Sequence, residues 1–454
     1  MPLLQFPPDM FELRPGEAAM YGHEPMVKKY AEHLKAFLGQ EEWSRRREAV
    51  ANFFFQTLIG DAPDATGRGR YFDDRDQFAW YLFLAEAFND HPQNYEVVFG
   101  SRVVPIFSAL GRNLDNLINI KGYESRLRRL ISSDASQPNG AFFELLVGAA
   151  YVRDGYDVAF HDERPGMART HDLDVKRNSR SYAVECKRME GGAYHETERQ
   201  KMRELWRRPA SLLAHLNRSI YLDVSFKVEL PQVRDTYLED VASQFLRGRT
   251  QEFRFDDGTA SGIIRDLDLQ PLKAALKRSF WLYPGPQYHE KLLGRYRRYD
   301  SLILLQKVKF APNPHFIDDV DLAIAARWTS LSEAAIERKA RDVLSKVAEA
   351  NRQLPDNVPG VVHIGFETLG GDEIERRRYE KIKSNVSNFN SESKPLEAVF
   401  CHYFSPEAPP NETWAFDETC HYHAKRQPVP LSRLSLVLPD DLPFRAGFHW
   451  DGRG

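Results

Sequence analysis

Between Asn139 and Glu190 the chain places three carboxylates and one lysine of a kind that does chemistry. They are Glu144, Asp172, Glu185 and Lys187, the last two in the run Glu185-Cys186-Lys187. Hard carboxylate oxygens brought together suit Mg²⁺ or Mn²⁺. A lysine beside such a cation offsets negative charge that develops on a reacting group. The chemistry on offer is the binding of a divalent cation.

Three local patterns must position these side chains. Gly140 to Arg153 is apolar at helical spacing (Phe142, Phe143, Leu146, Ala149, Ala150, Val152), with Glu144 set into the run. Asp154-Gly155 stops that helix, because Gly supplies the left-handed conformation of a C-cap. Tyr156 to Phe160 then reads as a short strand. Asp172-Leu-Asp-Val-Lys and Tyr182-Ala-Val-Glu-Cys-Lys read as a hairpin around a tight turn at Asn178-Ser179. That turn sets the register: Asp172 lies opposite Glu185, and Asp174 opposite Ala183. Side chains alternate along a strand, so Asp172, Asp174, Glu185 and Lys187 share one face. Like charges opposite each other are destabilising, so the face requires counter-charge. Lys187 is one source, and a divalent cation is the other.

This helix, strand and hairpin resemble the PD-(D/E)xK nuclease superfamily, the restriction-endonuclease-like fold. Glu144, Asp172 and Glu185-Cys186-Lys187 fall on the family's positions in order, with His171 where the family has Pro. The resemblance implies that Asp172 and Glu185 bind Mg²⁺ or Mn²⁺, that Glu144 completes the metal shell, and that Lys187 orients the attacking water. Some branches place the metal Asp in a setting like Leu173-Asp174-Val175, so Asp174 stands as the second candidate ligand. The expected activity is hydrolysis of nucleic-acid phosphodiesters, DNA favoured over RNA, including roles in bacterial restriction or anti-phage defence. The alternatives are an RNA-cleaving or partner-activated nuclease of the same fold, working as a homodimer or with an activating protein, and a non-enzymatic scaffold whose hairpin charges are ion pairs. Arg188, next to Lys187, is the best-placed phosphate contact.

The fold class expected is α/β: a mixed central sheet flanked by helices, preceded by a mainly helical N-terminal region. At 454 residues the chain exceeds one ordinary core. The division expected is 1–135, helical, for docking or recognition; 136–230, the nuclease core; 231–330, an insertion or sheet extension; and 331–454, an α/β part that completes or flanks the core. Phe78 to Phe88 is apolar nearly all round and so is expected to be buried. Two helix–strand pairs compete to continue the core sheet. One is His195 to Leu216, interrupted at Pro209, then Ile220 to Val228. The other is Ser332 to Leu354, then Gly360 to Phe366. Both are expected to pack on that sheet.

Composition sets outer limits. The net charge of −3 does not advertise a nucleic-acid binder, but binding depends on local patches. Basic candidates are Lys121, Arg126, Arg128 and Arg129 ahead of the first helix of the site, Arg199 to Arg208 after it, and Arg295, Arg297 and Arg298. No run of roughly 18 apolar residues is present, so no membrane span is expected. The N-terminus lacks the pattern of a secretory signal, and 3 cysteines without a Cys-x-x-Cys pair fit a reducing cytoplasm. Cys401, Cys420 and His423 offer zinc-ligand types in a spacing that matches no standard zinc pattern.

Overall fold

Apolar residues at helical spacing fold the N-terminal part into a helical layer: α1 (Pro25–Leu38), α2 (Gln40–Leu58), α3 (Gln77–Asp90), α4 (Val97–Arg112), α5 (Leu114–Leu117), α6 (Tyr123–Ile131) and α7 (Asn139–Arg153). The computed structural model describes residues 10–12, 23–58, 72–132, 138–161, 170–278, 285–299, 301–310, 317–391, 394–425, 429–442 and 447–451. Most of the proline-rich N-terminal stretch lies outside them. The side chain of Asp76 caps α3 by accepting from Ala79 N, and every residue from Phe78 to Phe88 is buried, as its all-round apolar sequence demands.

Next come β1 (Asp157–Phe160), β2 (Leu173–Arg177), β3 (Arg180–Met189), α8 (Ala193–His215), β4 (Ile220–Phe226), α9 (Tyr237–Gly248), β5 (Glu252–Asp256), β6 (Ala260–Asp266), α10 (Gln270–Arg278), α11 (Pro286–Leu293), β7 (Ser301–Phe310) and β8 (Ile317–Ser330). The C-terminal part adds α12 (Glu333–Lys339), α13 (Leu344–Gln353), β9 (Gly360–Glu367), α14 (Asp372–Ser387), β10 (Leu396–Glu407) and β11 (Ala415–Ala424).

The architecture is mixed α/β with two mixed sheets. The first has the order β1-β2-β3-β9-β10-β11. Its first three strands are antiparallel neighbours, β9 runs parallel to β3, and β10 runs parallel to β9. One face packs on the helical layer: Leu146, Phe160, Leu173, Val184 and Phe400 share a core with residues of α1, α3 and α4. The other face, with Ala183, Val362, Ile364 and Val399, is covered by Val347 and Ala350 of α13 and Ile382 and Val386 of α14. Helix α7 lies close against the sheet because Gly148 has no side chain; a Cβ there would come within 2.9 Å of the Phe160 ring.

The second sheet has the order β5-β6-β4-β8-β7. It corrects one expectation. Of the two candidate strands, β9 continues the first sheet next to β3, whereas β4 pairs with β6 and β8 in the second. The reason is packing: Leu222, Val224 and Phe226 of β4 share a core with Trp206 and Leu213 of α8, Phe245 of α9 and Ile324 of β8. Helix α8 also runs on through Pro209, which sits buried between the core residues Trp206 and Ala210. The stretch expected as one helix from Ser332 to Leu354 is two, α12 and α13. The Asp342 carboxylate accepts from Leu344 N at 2.8 Å and restarts the helix there.

Candidate active site

The hairpin forms in the expected register. Asp174 faces Ala183, Leu173 faces Val184, and the turn uses Asn178 at φ 54°. Asp172 just precedes β2. Its backbone N–H donates to Val184 O at 3.0 Å, and its Oδ2 accepts from Cys186 N at 2.8 Å. The carboxylate is thereby fixed beside Glu185-Cys186-Lys187.

Glu144, Asp172 and Glu185 are all buried, and burial pushes each of their acid groups up to about 7. For Asp172 the next contribution is the Glu185 charge, and for Glu144 it is the Asp172 charge. Lys187 Nζ stands 2.6 Å from Glu185 Oε1 and 3.5 Å from Glu349. Burial is the largest single effect on the Lys187 amine and lowers it, but the Glu185 charge and hydrogen bond, with the Asp172 and Glu349 charges, together outweigh it and the net shift is upward. The Gln353 amide closes the pair when its nitrogen faces Glu185 Oε1 at 3.1 Å and its oxygen faces Lys187 Nζ at 2.8 Å. Glu185 Oε2 is buried without a hydrogen-bond partner among the described residues.

Glu144 has taken other partners. Arg126 donates to its Oε2 at 2.5 Å, and Arg129 donates to both of its oxygens at 2.5 and 2.6 Å. Arg126 is itself buried. It also donates to the backbone carbonyls of His161 and Asp172, and it lies 3.6 Å from Asp172 Oδ1. These two arginines therefore hold a carboxylate of the site.

Asp174 departs from the one-face picture. It is half exposed and takes hydrogen bonds from His161 Nε2 at 2.6 Å and His171 Nε2 at 2.8 Å. The His171 hydrogen bond is the largest cause holding its acid group below the ordinary carboxylate value. Among the described residues these three make the one group of His, Cys, Asp or Glu whose ligand atoms all lie within 4.8 Å. A two-histidine, one-carboxylate set suits a transition metal. With both Nε2 atoms hydrogen-bonded to Asp174, the three side chains satisfy one another. Arg188, expected as a phosphate contact, instead pairs with Glu367 at 3.1 Å and lies over the Phe404 ring.

Cys401 is buried in the core under α13 and α14, and Cys420 sits opposite His402 on the β10–β11 ladder. Trp206, inside the basic run from Arg199 to Arg208, is buried in the core of the second sheet. Sequence reasoning did not single out Gln353 or the grip of Arg126 on Glu144. A glutamine at a helix end carries no signature, and an arginine in a basic run reads as a solvated face.

Compared with protein-family models, curated proteins and solved structures, the chain shows no match. No helix among the described residues is long and apolar enough to cross a membrane.

Proposed function

We propose that this chain is a metal-dependent nuclease that hydrolyses phosphodiester bonds of nucleic acid, DNA favoured, on a restriction-endonuclease-like core. The observation that carries this reading is the buried Glu185 carboxylate. One of its oxygens is bound by Lys187 and the other has no hydrogen-bond partner among the described residues, beside a second buried carboxylate, Asp172. A buried, unsatisfied anionic oxygen is costly, and hard divalent cations bind such oxygens. The order helix, strand, hairpin, helix, parallel strand, read from α7, β1, β2–β3, α13 and β9, supports the same reading.

Asp172 and Glu185 would hold the cation. When bound there, Mg²⁺ or Mn²⁺ supplies positive charge to a scissile phosphate and acidifies a water. Lys187 orients that water and offsets negative charge on the reacting phosphate. Gln353 and Glu349 keep the Lys187 ammonium in place. Glu144 acts through Arg126 as a positioning residue, because both of its oxygens are already engaged by arginines. The test is a substrate panel of supercoiled plasmid, linear duplex, single-stranded DNA and RNA with Mg²⁺, Mn²⁺ or EDTA. Metal-dependent cutting supports the reading, and the preferred substrate decides between DNA and RNA. A protein that cuts none of them with either metal argues for the scaffold or the partner-activated nuclease, and metal affinity lost on Asp172→Ala separates the second from the first.

A further inference from the structure

A second site lies away from the carboxylates. A cavity of about 420 Å³ opens between α4, α8, the segment Arg295–Tyr299, strands β7 and β8, and the chain just after β9 and at the end of β10. That volume is in the range of small-molecule sites. Its lining holds seven arginines against two carboxylates, Glu290 and Glu407, and includes none of Glu144, Asp172, Glu185 and Lys187.

Most of these arginines are held in place by carboxylates. Asp223 takes Arg295 at 3.0 Å and both terminal nitrogens of Arg297 at 3.0 and 2.5 Å. Glu407 takes Arg298 at 2.8 Å, and Glu367 lies 3.6 Å from Arg102. Arg199 is different. It is open to the cavity and makes no hydrogen bond or ion pair with the described residues. Burial, then the neighbouring Arg102, pushes its guanidinium down. Burial also takes His195 down to about 3 and His289 to about 4, with Arg199 and Arg327 respectively adding to it. Both imidazoles are therefore neutral near pH 7, and the arginines set the sign of the cavity.

A concave site with one sign of charge concentrates the opposite ion. Guanidinium forks match phosphate oxygens two at a time. Tyr296, Tyr299 and Trp328 also line the cavity, which gives it an aromatic wall and more room than a lone phosphate fills. We infer that this cavity binds a phosphate-bearing nucleotide, with Arg199 as the cation that waits for the phosphate. Two sources share that chemistry: a free nucleotide, and the 5′-phosphate end of a nucleic-acid strand.

The experiment is calorimetric titration of the full chain with ATP, pyrophosphate, adenosine and a 5′-phosphorylated dinucleotide. Wild type is compared with Arg199→Ala, Arg203→Ala and, as a control on β5, Arg254→Ala. The expected result is binding of the phosphate compounds but not of adenosine. Loss of the Arg199 fork weakens that binding about tenfold or more, and Arg254→Ala leaves it unchanged. ATP binding tighter than the dinucleotide assigns a free nucleotide, and the reverse order assigns a strand end. The Arg199 side chain makes no hydrogen bond or ion pair with the described residues, so its variant should keep the wild-type circular dichroism. Should it unfold, Arg203→Ala carries the same expectation. No heat with any phosphate compound, equal binding of adenosine, or unchanged affinity in a folded Arg199 or Arg203 variant would overturn the inference. Nuclease activity is not the readout, so the outcome is independent of the hydrolytic site.

Discussion

Arg126 Nη1 lies 2.5 Å from Glu144 Oε2, while Nη2 of the same guanidinium donates to the backbone carbonyls of His161 and Asp172. One buried side chain thus ties α7, the end of β1 and the start of β2 together around the site. Removing Arg126 leaves Glu144 with the part-exposed Arg129 alone and takes the donor from two backbone carbonyls, and loss of one partner of a buried ion pair costs about 3–5 kcal/mol. Arg126→Ala should lower stability by that order in chemical denaturation. Arg129, about one third exposed, should cost about 1 kcal/mol or less on the same substitution. Equal, small losses in both would remove Arg126 from this role.

Asp172 makes a pH prediction. Its folded acid group is raised to about 7 from 3.8, first by burial and then by the Glu185 charge. Below about pH 4 the side chain is protonated whether folded or not, so its burial carries no ionisation cost. Between about pH 4 and 7 the unfolded chain loses the proton first, and stability falls as pH rises through that window. Asp172→Asn removes the ionisation and keeps the oxygen that accepts from Cys186 N. The variant should be more stable than wild type at pH 8 by on the order of 1–3 kcal/mol and equal to it near pH 4, while losing cleavage. Thermal unfolding at both pH values checks this, and a variant less stable at pH 8 would contradict it.

The same cost predicts a metal effect that does not depend on activity. Mn²⁺ or Mg²⁺ in large excess should raise the unfolding temperature of wild type at pH 8, with about 2.7 kcal/mol of stabilisation expected at a hundredfold excess over Kd. At pH 5 the carboxylates hold their protons and the effect should shrink. Asp172→Asn should abolish it. An equal shift in the variant would place the cation elsewhere, with His161, His171 and Asp174 as the alternative set.

Gln353 gives a subtler prediction. Its amide fits between Glu185 and Lys187, and partners that orient catalytic ligands typically contribute 10–100-fold. Gln353→Ala should reduce the cleavage rate by about that factor with little change in unfolding temperature. An unchanged rate would leave Gln353 a bystander.

The hairpin was legible in the sequence because a two-residue turn fixes register, and register fixes which side chains share a face; Asp174 opposite Ala183 followed directly. The competition between two helix–strand pairs was not legible. Periodicity marks both β4 and β9 as buried strands but carries no information about the long-range partner each one takes. Arg126 shows the same limit from the other side. In sequence it belongs to a basic run, and only the approach of α6 to α7 turns it inward to Glu144. Asp174 was read onto the metal face by alternation and by its Leu173-Asp174-Val175 setting, and its two histidine partners come from just after β1 and from the residue before Asp172.

The most direct test of the account is cleavage of supercoiled plasmid with Mg²⁺ or Mn²⁺ by wild type, Lys187→Ala and Asp172→Asn, each shown to be folded. The account predicts nicking or linearisation by wild type that EDTA abolishes, with losses of about 10²–10³-fold or more in both variants. Wild-type cutting retained in full by both variants would contradict it and place any nuclease activity outside Asp172, Glu185 and Lys187.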